Sequence, residues 1–350
     1  MRVLFTYFSR ILVVRILAVL LSFVALLVMM DLIDSMEEVL ARRGSTADVF
    51  VFVGYRLPTI AERLIPLSVL IGTTLGMLAL AMHSELVALR AAGLSQLRIA
   101  ALGIPVCLMI VLGHFLLADR VAPRSEQAFV EWWEPLARLG GTHWLKGETN
   151  VVRIGAISKD ARRLDDVTLF QRDATGRLTA QVSAGSASFG ESGWQLQDVS
   201  ELSLGASGPA RQDSALQPWP DGPRPEVILD LVSGPEQLST GALGKILAVS
   251  WSSTAEPSVY RTELARRAVA PLTSLVMMLI AVSAIRGQGR SGGPQRGAAL
   301  ALALGLTFMV LDGIFASLGR AGVLAPAIAA WTPLLIFAAI AGVLLLRLKG

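Results

Sequence analysis

The chain has 350 residues, of which 53% are hydrophobic and only 17% are charged, and its mean hydropathy is +0.59. Soluble domains are about 45–50% apolar and about 25% charged, so this composition excludes both an ordinary soluble enzyme and a disordered chain. The single cysteine, Cys107, excludes an internal disulfide framework. The net charge of +4 would suit a nucleic-acid-binding protein, unless the basic residues lie at the ends of membrane helices.

Long apolar runs occupy both ends of the chain. A bilayer span needs about 20 mostly apolar residues. Six runs reach or approach this length, at residues 11–30, 64–82, 99–118, 268–285, 297–318 and 321–346. The first run has the basic start of a signal peptide, but no small-residue cleavage site follows Met30, which favours an uncleaved helix. The sequence therefore predicts six transmembrane helices, three on each side of a long middle section.

The basic residues predict how these helices are oriented. If the N-terminus is cytoplasmic, the cytoplasmic segments hold an excess of basic residues, which is the distribution that membrane proteins favour. These residues are Arg2, Arg10, Arg15, Arg90, Arg98, Arg286, Arg290, Arg296, Arg347 and Lys349. Both termini are then cytoplasmic, and the middle section lies outside. The basic charge is explained by this distribution, and no nucleic-acid partner is expected.

One carboxylate, Asp312, lies inside the fifth apolar run. It stands about 15 residues from the start of that run, or roughly 22 Å along a helix, in the outer part of the bilayer. Intramembrane carboxylates are costly and usually face protein or a water-filled cavity. We therefore expect a packing hydrogen bond or a cavity-lining position, with a proton relay as the alternative. Gly72 and Gly76 form a small-x-x-x-small pattern that permits close helix approach.

Residues 119–267 differ from the rest of the chain and hold more than half of its charged residues. Short β-like pieces alternate with the turn sequences 173–176 and 190–193. Several short strands with regular turns predict a β-sandwich or jellyroll, between membrane segments 1–118 and 268–350. A helix over 125–139 is expected to extend from the third span. The predicted inward-facing residues of the β-domain are Val152, Ile154, Leu169, Val182, Leu196 and Leu202.

The loop between the second and third spans predicts a short helix over residues 84–93. Ser84 suits the N-cap, and Gly93 suits a left-handed helix end. Leu86 and Leu89 fall on one face, which could dock in a groove of a cytoplasmic partner. The alternative interpretation is an interfacial connector without a partner.

The sequence contains no recognisable catalytic motif. It has no phosphate-binding loop or nucleophile elbow, and its three histidines, His83, His114 and His143, are scattered without cysteine partners. We therefore expect a protein that is not an enzyme. Any active transport would draw its energy from another subunit or from an ion gradient.

The residues Ser84-Glu85-Leu86 with Arg90-Ala91-Ala92-Gly93 resemble the coupling-helix motif of the lipopolysaccharide export permeases of the LptF/LptG family. Further similarity follows in the same order, at residues 121–126, 144–146, 150–154, 267–280, 311–315 and 330–333. The resemblance covers nearly the whole chain and is closer to the LptG branch of the family.

This resemblance implies an α-helical membrane protein with six transmembrane helices and an inserted periplasmic β-jellyroll domain, in the bacterial inner membrane. It implies pairing with a second, LptF-like permease and with a single-span LptC-like protein. An LptB-like cytoplasmic ATPase dimer would bind the coupling helices, and that dimer, not this chain, would hold ATP and magnesium. No cofactor or metal of its own is expected. The assembly would extract lipopolysaccharide and pass it to a periplasmic bridge towards the outer membrane.

The resemblance also assigns candidate site residues. The ATPase contact would be formed by Ser84, Glu85, Leu86, Leu89, Arg90 and Gly93, with the two leucines as apolar anchors. Arginines near the outer membrane face are candidates for binding lipid phosphate, because a guanidinium fork matches that group. They are Arg42, Arg43, Arg56, Arg63, Arg120 and Arg124. The alternative role for each is to anchor the end of its helix at the membrane surface.

The stretch Asp31, Asp34, Glu37 and Glu38 departs from the lysines that LptG-type permeases often carry there. Pairing of Glu38 with Arg42 is the simpler interpretation, and divalent ions bridging these acids to phosphates are the alternative.

Two other functional classes remain open from the residues. One is a proton-coupled secondary lipid transporter with Asp312 as the relay, which would work without an ATPase. The other is a membrane-anchored periplasmic assembly protein without transport activity. A stable complex with an ATPase dimer and a second permease would favour the export permease over both.

Overall fold

A computed structural model describes residues 2–43, 45–94, 96–133, 141–173, 175–205, 208–253, 256–285 and 293–346. The chain forms two compact units, Met1–Glu126 with Thr262–Gly350 and the inserted Gln127–Arg261. The inserted unit begins and ends inside the predicted range 119–267. Its first boundary lies within the helix Ala122–Trp133 and its second within the helix Pro257–Ala284.

The helices of the described residues are α1 (Arg2–Arg43), α2 (Thr46–Met82), α3 (Glu85–Ala91), α4 (Gln96–Leu102), α5 (Ile104–Leu116), α6 (Ala122–Trp133), α7 (Pro225–Val232), α8 (Thr240–Ala248), α9 (Pro257–Ala284), α10 (Pro294–Arg320) and α11 (Pro326–Leu346). Among these residues, six helical segments are long and apolar enough to cross a membrane: Leu4–Ala41, Thr46–Met82, Ile104–Trp133, Pro257–Ala284, Pro294–Arg320 and Pro326–Leu346. The six predicted spans are thereby confirmed, although α1 and α2 extend well beyond their apolar runs.

Close packing of α1 on α2 depends on the two glycines of the small-x-x-x-small pattern. A Cβ atom at Gly72 would lie 2.5 Å from the Ile16 Cα, and one at Gly76 would lie 3.1 Å from a Leu12 methyl carbon. The Arg15 guanidinium also donates a hydrogen bond to the Leu75 carbonyl of α2. The pattern therefore marks a true helix–helix contact.

A π-helical turn, Leu117–Val121, joins α5 to α6. In this turn the Ala122 N–H bonds to the Leu117 carbonyl, five residues back instead of four. Pro123 explains the wider turn, because proline has no N–H and its ring clashes with the carbonyl four residues before it in a regular helix. The helix predicted over 125–139 is confirmed as far as Trp133, and residues 134–140 lie outside the described part of the chain.

The described residues of the inserted unit form one antiparallel sheet of six strands: β1 (His143–Lys146), β2 (Asn150–Ile157), β3 (Arg163–Arg172), β4 (Leu178–Gly190), β5 (Gly193–Gly205) and β6 (Gly208–Trp219). Each strand pairs with the next in sequence, so the sheet is a meander without Greek-key crossovers. The inserted β-domain is confirmed, and short turns between neighbouring strands explain its simple order.

The turn between β3 and β4 begins at Asp173, as predicted. Its carboxylate accepts hydrogen bonds from the Thr175 hydroxyl and from the Thr175 and Arg177 N–H groups, at 2.6 to 2.9 Å. These bonds hold the pKa of the Asp173 carboxyl below its usual range, and the hydrogen bond from the Thr175 side chain is the largest cause. The turn is therefore stabilised by an ionised carboxylate and a glycine, Gly176, at φ +82°.

A line of irregular residues crosses the middle of the sheet. Asp166 and Asp198 have φ values of +52° and +56°, and a Cβ atom at Gly155 or Gly185 would lie 2.9 or 3.3 Å from the Cβ of the facing aspartate. The pairing register is the same on both sides of this line, so no strand gains a residue there, yet the side chains that follow the line shift to the opposite face of the sheet.

This shift decides which apolar residues of β5 are buried. Before Asp198, Trp194 and Leu196 face the core, whereas after it Val199 is buried and Leu202 is 38% exposed. The predicted inward position of Leu202 is therefore wrong. The other predicted residues, Val152, Ile154, Leu169, Val182 and Leu196, are buried as expected.

Candidate functional site

The short helix predicted over residues 84–93 is present as α3, a seven-residue helix with defined ends. Ser84 precedes it in the left-handed region at φ +59°, and its backbone carbonyl accepts a hydrogen bond from the Ala88 N–H. Gly93 follows at φ +85°, and the Leu94 N–H bonds to the Leu89 carbonyl at 3.1 Å, which is the six-to-one bond of a Schellman motif. The ends of α3 are thus set by its own local sequence.

Gly93→Ala is expected to destabilise the end of α3 by about 1–2 kcal/mol, because an L side chain is strained in the left-handed region. Hydrogen exchange of the peptide covering residues 84–94 measures this as faster exchange. The control Gly113→Ala adds a methyl group to α5 where no atom lies within 4 Å, and should leave exchange in α3 unchanged. Equal exchange in wild type and Gly93→Ala would show that the glycine end is not required.

The two leucines of α3 face this chain's own core. Leu86 is fully buried in the same apolar cluster as Phe8 and Leu12, and Leu89 is half-buried against it. Leu86 therefore does not fit the role of an apolar anchor for a partner. The exposed apolar residues of the helix are Val87, which is 42% exposed, with Ala88 and Ala91. Their spacing of one turn puts Val87 and Ala91 on the same side.

The carboxylate of Glu85 has a partner that the sequence did not reveal. The Tyr7 hydroxyl on α1 lies 3.0 Å from Oε1 and 2.9 Å from Oε2 of Glu85. These two residues are 78 positions apart, so no local pattern predicts the contact. The side chains of Arg90, Arg42 and Arg43 lie outside the described part of the structure, so their predicted contacts stay predictions.

A second charged cluster joins α1, α2 and α6. The Arg56 guanidinium holds both carboxylate oxygens of Asp31, with Nε to Oδ2 at 2.7 Å and Nη2 to Oδ1 at 3.2 Å. Its Nη1 lies 3.9 Å from the Glu126 carboxylate, which also accepts a hydrogen bond from the Thr59 hydroxyl at 3.2 Å. Arg56 is therefore already paired with carboxylates of this chain, and Asp31 with an arginine of α2.

The remaining arginine candidates differ in their surroundings. Arg63, Arg120 and Arg124 are exposed. Neither Arg120 nor Arg124 has an ion-pair partner among the described side chains, and the two lie four residues apart across the π-helical turn. Among the candidates whose side chains the structure describes, these two have guanidinium groups open to a ligand. Within the described ranges, no group of three His, Cys, Asp or Glu side chains could hold a metal ion.

Asp312 forms an ion pair between two spans. The Arg266 Nη2 of α9 lies 2.8 Å from Oδ2 of Asp312 on α10, and Nη1 lies 3.4 Å from the Asp312 backbone carbonyl. The two side chains are 30% and 22% exposed. The expected packing interaction is thus an ion pair. Sequence reasoning missed Arg266 because it stands just outside the apolar run that begins at residue 268.

A third polar cluster joins α2, α5 and α9. The buried His114 places Nδ1 3.3 Å from the Ser274 hydroxyl and Nε2 3.6 Å from the Glu62 carboxylate. The only indication in the sequence is the single histidine of the third apolar run. Its partners are 160 and 52 positions away, so only the helix packing brings them together.

Comparison with known proteins agrees with these features. The family model "Lipopolysaccharide export system permease LptF/LptG" matches residues 6–347. The permease protein LptG of Escherichia coli K12 is 27% identical over 303 residues, which cover 83% of each chain. LptG of Haemophilus influenzae is 24% identical over 317 residues, covering 88% of each. With six membrane-spanning helices and an inserted antiparallel sheet, the chain belongs to the LptF/LptG family of lipopolysaccharide export system permeases, multi-pass proteins of the inner membrane.

Proposed function

We propose that this chain is the permease subunit of an ATP-driven transporter that extracts lipopolysaccharide from the inner membrane and delivers it towards the outer membrane. The observation that carries this proposal is the family match over residues 6–347, which takes in α3 and the inserted sheet together. The relatives named as lipopolysaccharide export permeases cover more than four fifths of the chain, which supports the same substrate.

The proposed orientation follows the distribution of basic residues. Both termini and α3 lie in the cytoplasm, and the inserted sheet lies in the periplasm. A short helix with defined ends on the cytoplasmic side is suited to contact an ATPase dimer that binds ATP and magnesium. Further proposed partners are a second, LptF-like permease and a single-span, LptC-like protein.

The contact with the ATPase is proposed to use the exposed side of α3. Val87, Ala88 and Ala91 offer a small apolar surface, Glu85 supplies a charge beside it, and Arg90 of the same helix is the second proposed charged contact. A carboxylate that is desolvated against an arginine of the ATPase would both orient the contact and resist its separation. Ser84 and Gly93 fix the two ends of this surface, while Leu86 and Leu89 attach it to the membrane helices.

Arg120 and Arg124 are the proposed lipid-phosphate contacts. Both are exposed and carry guanidinium groups, which bind phosphate in a forked geometry. Arg56 has a different proposed role, since its guanidinium group is already paired with the carboxylates of Asp31 and Glu126. It would hold α1, α2 and α6 together near the lipid.

Glu85→Lys is expected to reduce lipopolysaccharide-stimulated ATP hydrolysis to the unstimulated rate in the assembled complex. The substitution replaces the proposed partner of an ATPase arginine with a like charge. The measurement uses the permease pair, the ATPase and the single-span protein reconstituted in liposomes, with and without lipopolysaccharide. As the control, Glu191→Lys makes the same charge change at an exposed turn of the sheet and should retain stimulation.

Normal stimulation in Glu85→Lys would remove Glu85 from the ATPase contact. Failure of the wild-type chain to purify with an ATPase dimer and a second permease would contradict the proposed function itself. A proton-driven transporter predicts that failure, together with transport in the absence of ATP.

A further inference from the structure

The hydroxyl of Tyr7 is shared between the two oxygens of one carboxylate. Its oxygen lies 3.0 Å from Oε1 and 2.9 Å from Oε2 of Glu85. An ionised carboxylate only accepts hydrogen bonds, so the phenol must be the donor. A donor placed symmetrically in front of both oxygens favours one orientation of the carboxylate plane.

The part of α1 that carries Tyr7 is held firmly by its neighbours. Phe8 and Leu12, one residue and five residues further along, are fully buried in the apolar core. Close contact of Leu12 with Gly76 and the hydrogen bond from Arg15 to α2 fix the same segment. The hydroxyl of Tyr7 is therefore a donor on a rigid element, even though its ring is partly exposed.

Glu85, unlike Tyr7, lies on a short element, because it is the first residue of a helix of only seven residues. One attachment of this helix to the protein is the buried side chain of Leu86. That contact holds the helix but does not orient the neighbouring carboxylate, because adjacent side chains of a helix project about 100° apart around its axis. Without the Tyr7 hydroxyl, the Glu85 side chain would be free to exchange rotamers, and that freedom would be lost on binding a partner.

We propose that Tyr7 is a positioning residue, whose hydroxyl orients the Glu85 carboxylate for its partner and ties α3 to α1. This inference rests on the proposed coupling role of Glu85 and extends it. A force that a partner applies to Glu85 is then transmitted to α1 through the Tyr7 hydrogen bond, as well as to α2 through the chain. Since α1 is one continuous helix of 42 residues, it reaches the Asp31–Arg56 ion pair 24 residues, or about 36 Å, further along. The hydrogen bond thus connects the α3 contact with a distant part of α1.

The test is a double-mutant cycle on Tyr7→Phe and Glu85→Gln in the reconstituted complex. The readout is the ratio of ATP hydrolysis with lipopolysaccharide to hydrolysis without it. Tyr7→Phe removes one oxygen atom and should lower this ratio about three- to tenfold, as for a hydrogen bond to a charged group at a partly exposed site. In the Glu85→Gln background, Tyr7→Phe should have no further effect, because the two residues act as one unit. The matched control is Tyr260→Phe, which removes a tyrosine hydroxyl bonded to Ser253 at 2.8 Å in the sheet unit and should leave the ratio unchanged.

The outcomes separate this inference from the proposed function. If Glu85→Gln and Glu85→Lys both leave the ratio at the wild-type value, the coupling role of Glu85 is wrong, and the inference falls with it. If Glu85→Gln lowers the ratio while Tyr7→Phe does not, only the inference is overturned. Additive losses in the double variant would also overturn it, since they would show that Tyr7 acts apart from Glu85.

Discussion

Gly72→Ala is expected to destabilise the permease, although alanine favours a helix by about 1 kcal/mol over glycine. The new Cβ atom would lie 2.5 Å from the Cα of Ile16, which is backbone and cannot rotate away. The helices must therefore separate, and overpacking of this kind costs about 2–3 kcal/mol. The packing loss exceeds the propensity gain, so the apparent Tm of the purified complex in detergent should fall.

The matched control is Gly54→Ala in the same helix. No heavy atom lies within 4 Å of the Cβ position at Gly54, so this variant gains helix propensity without a clash. Its Tm should equal or exceed that of the wild type. A Gly72→Ala variant as stable as Gly54→Ala would show that α1 and α2 do not pack at this glycine. Loss of stability in Gly72→Ala should also weaken the Tyr7–Glu85 contact, because the same packing holds α1 in place.

Arg266→Leu is expected to have the second-largest effect, because it leaves Asp312 without its partner between two membrane spans. Breaking a fully buried pair costs about 3–5 kcal/mol, and since these side chains are about a quarter exposed, we expect on the order of 2 kcal/mol. Asp312→Leu should cost less, because the long Arg266 side chain can reach polar surroundings. Thermal unfolding of the purified complex measures both.

The double variant Arg266→Leu/Asp312→Leu should recover most of the lost stability and should still export lipopolysaccharide. Replacement of both members of a buried pair by apolar residues is often neutral, whereas the loss of one is not. Arg163→Leu serves as the control, since its ion pair with Asp165 is well exposed and contributes little. A stable double variant without export would contradict a structural role and would support Asp312 as a proton relay.

Several features of the fold could be predicted because their cause is local in the sequence. Uninterrupted apolar runs indicated the six spans, and Gly93 indicated the end of α3, since only glycine enters the left-handed region without strain. The turn at Asp173 could be predicted because its cause is also local: its glycine, Gly176, and the residues bonded to Asp173 all lie within four positions. By contrast, the sequence could not predict which face of α3 is exposed. Apolar spacing shows that Leu86 and Leu89 share a face, but it does not show whether this chain or a partner covers that face.

The sequence by itself determined the number of spans, the inserted β-domain, the ends of the short helix and the family. These depend on composition and on residues within a few positions of each other. The tertiary structure decided the polar partnerships: Tyr7 with Glu85, Arg266 with Asp312, and His114 with Ser274, which are 78, 46 and 160 positions apart. It also decided the facing of Leu202, because the left-handed Asp198 moves later side chains to the other side of the sheet. The physical reason is that polar and charged groups between packed helices need partners, and helix packing selects which ones from any part of the chain.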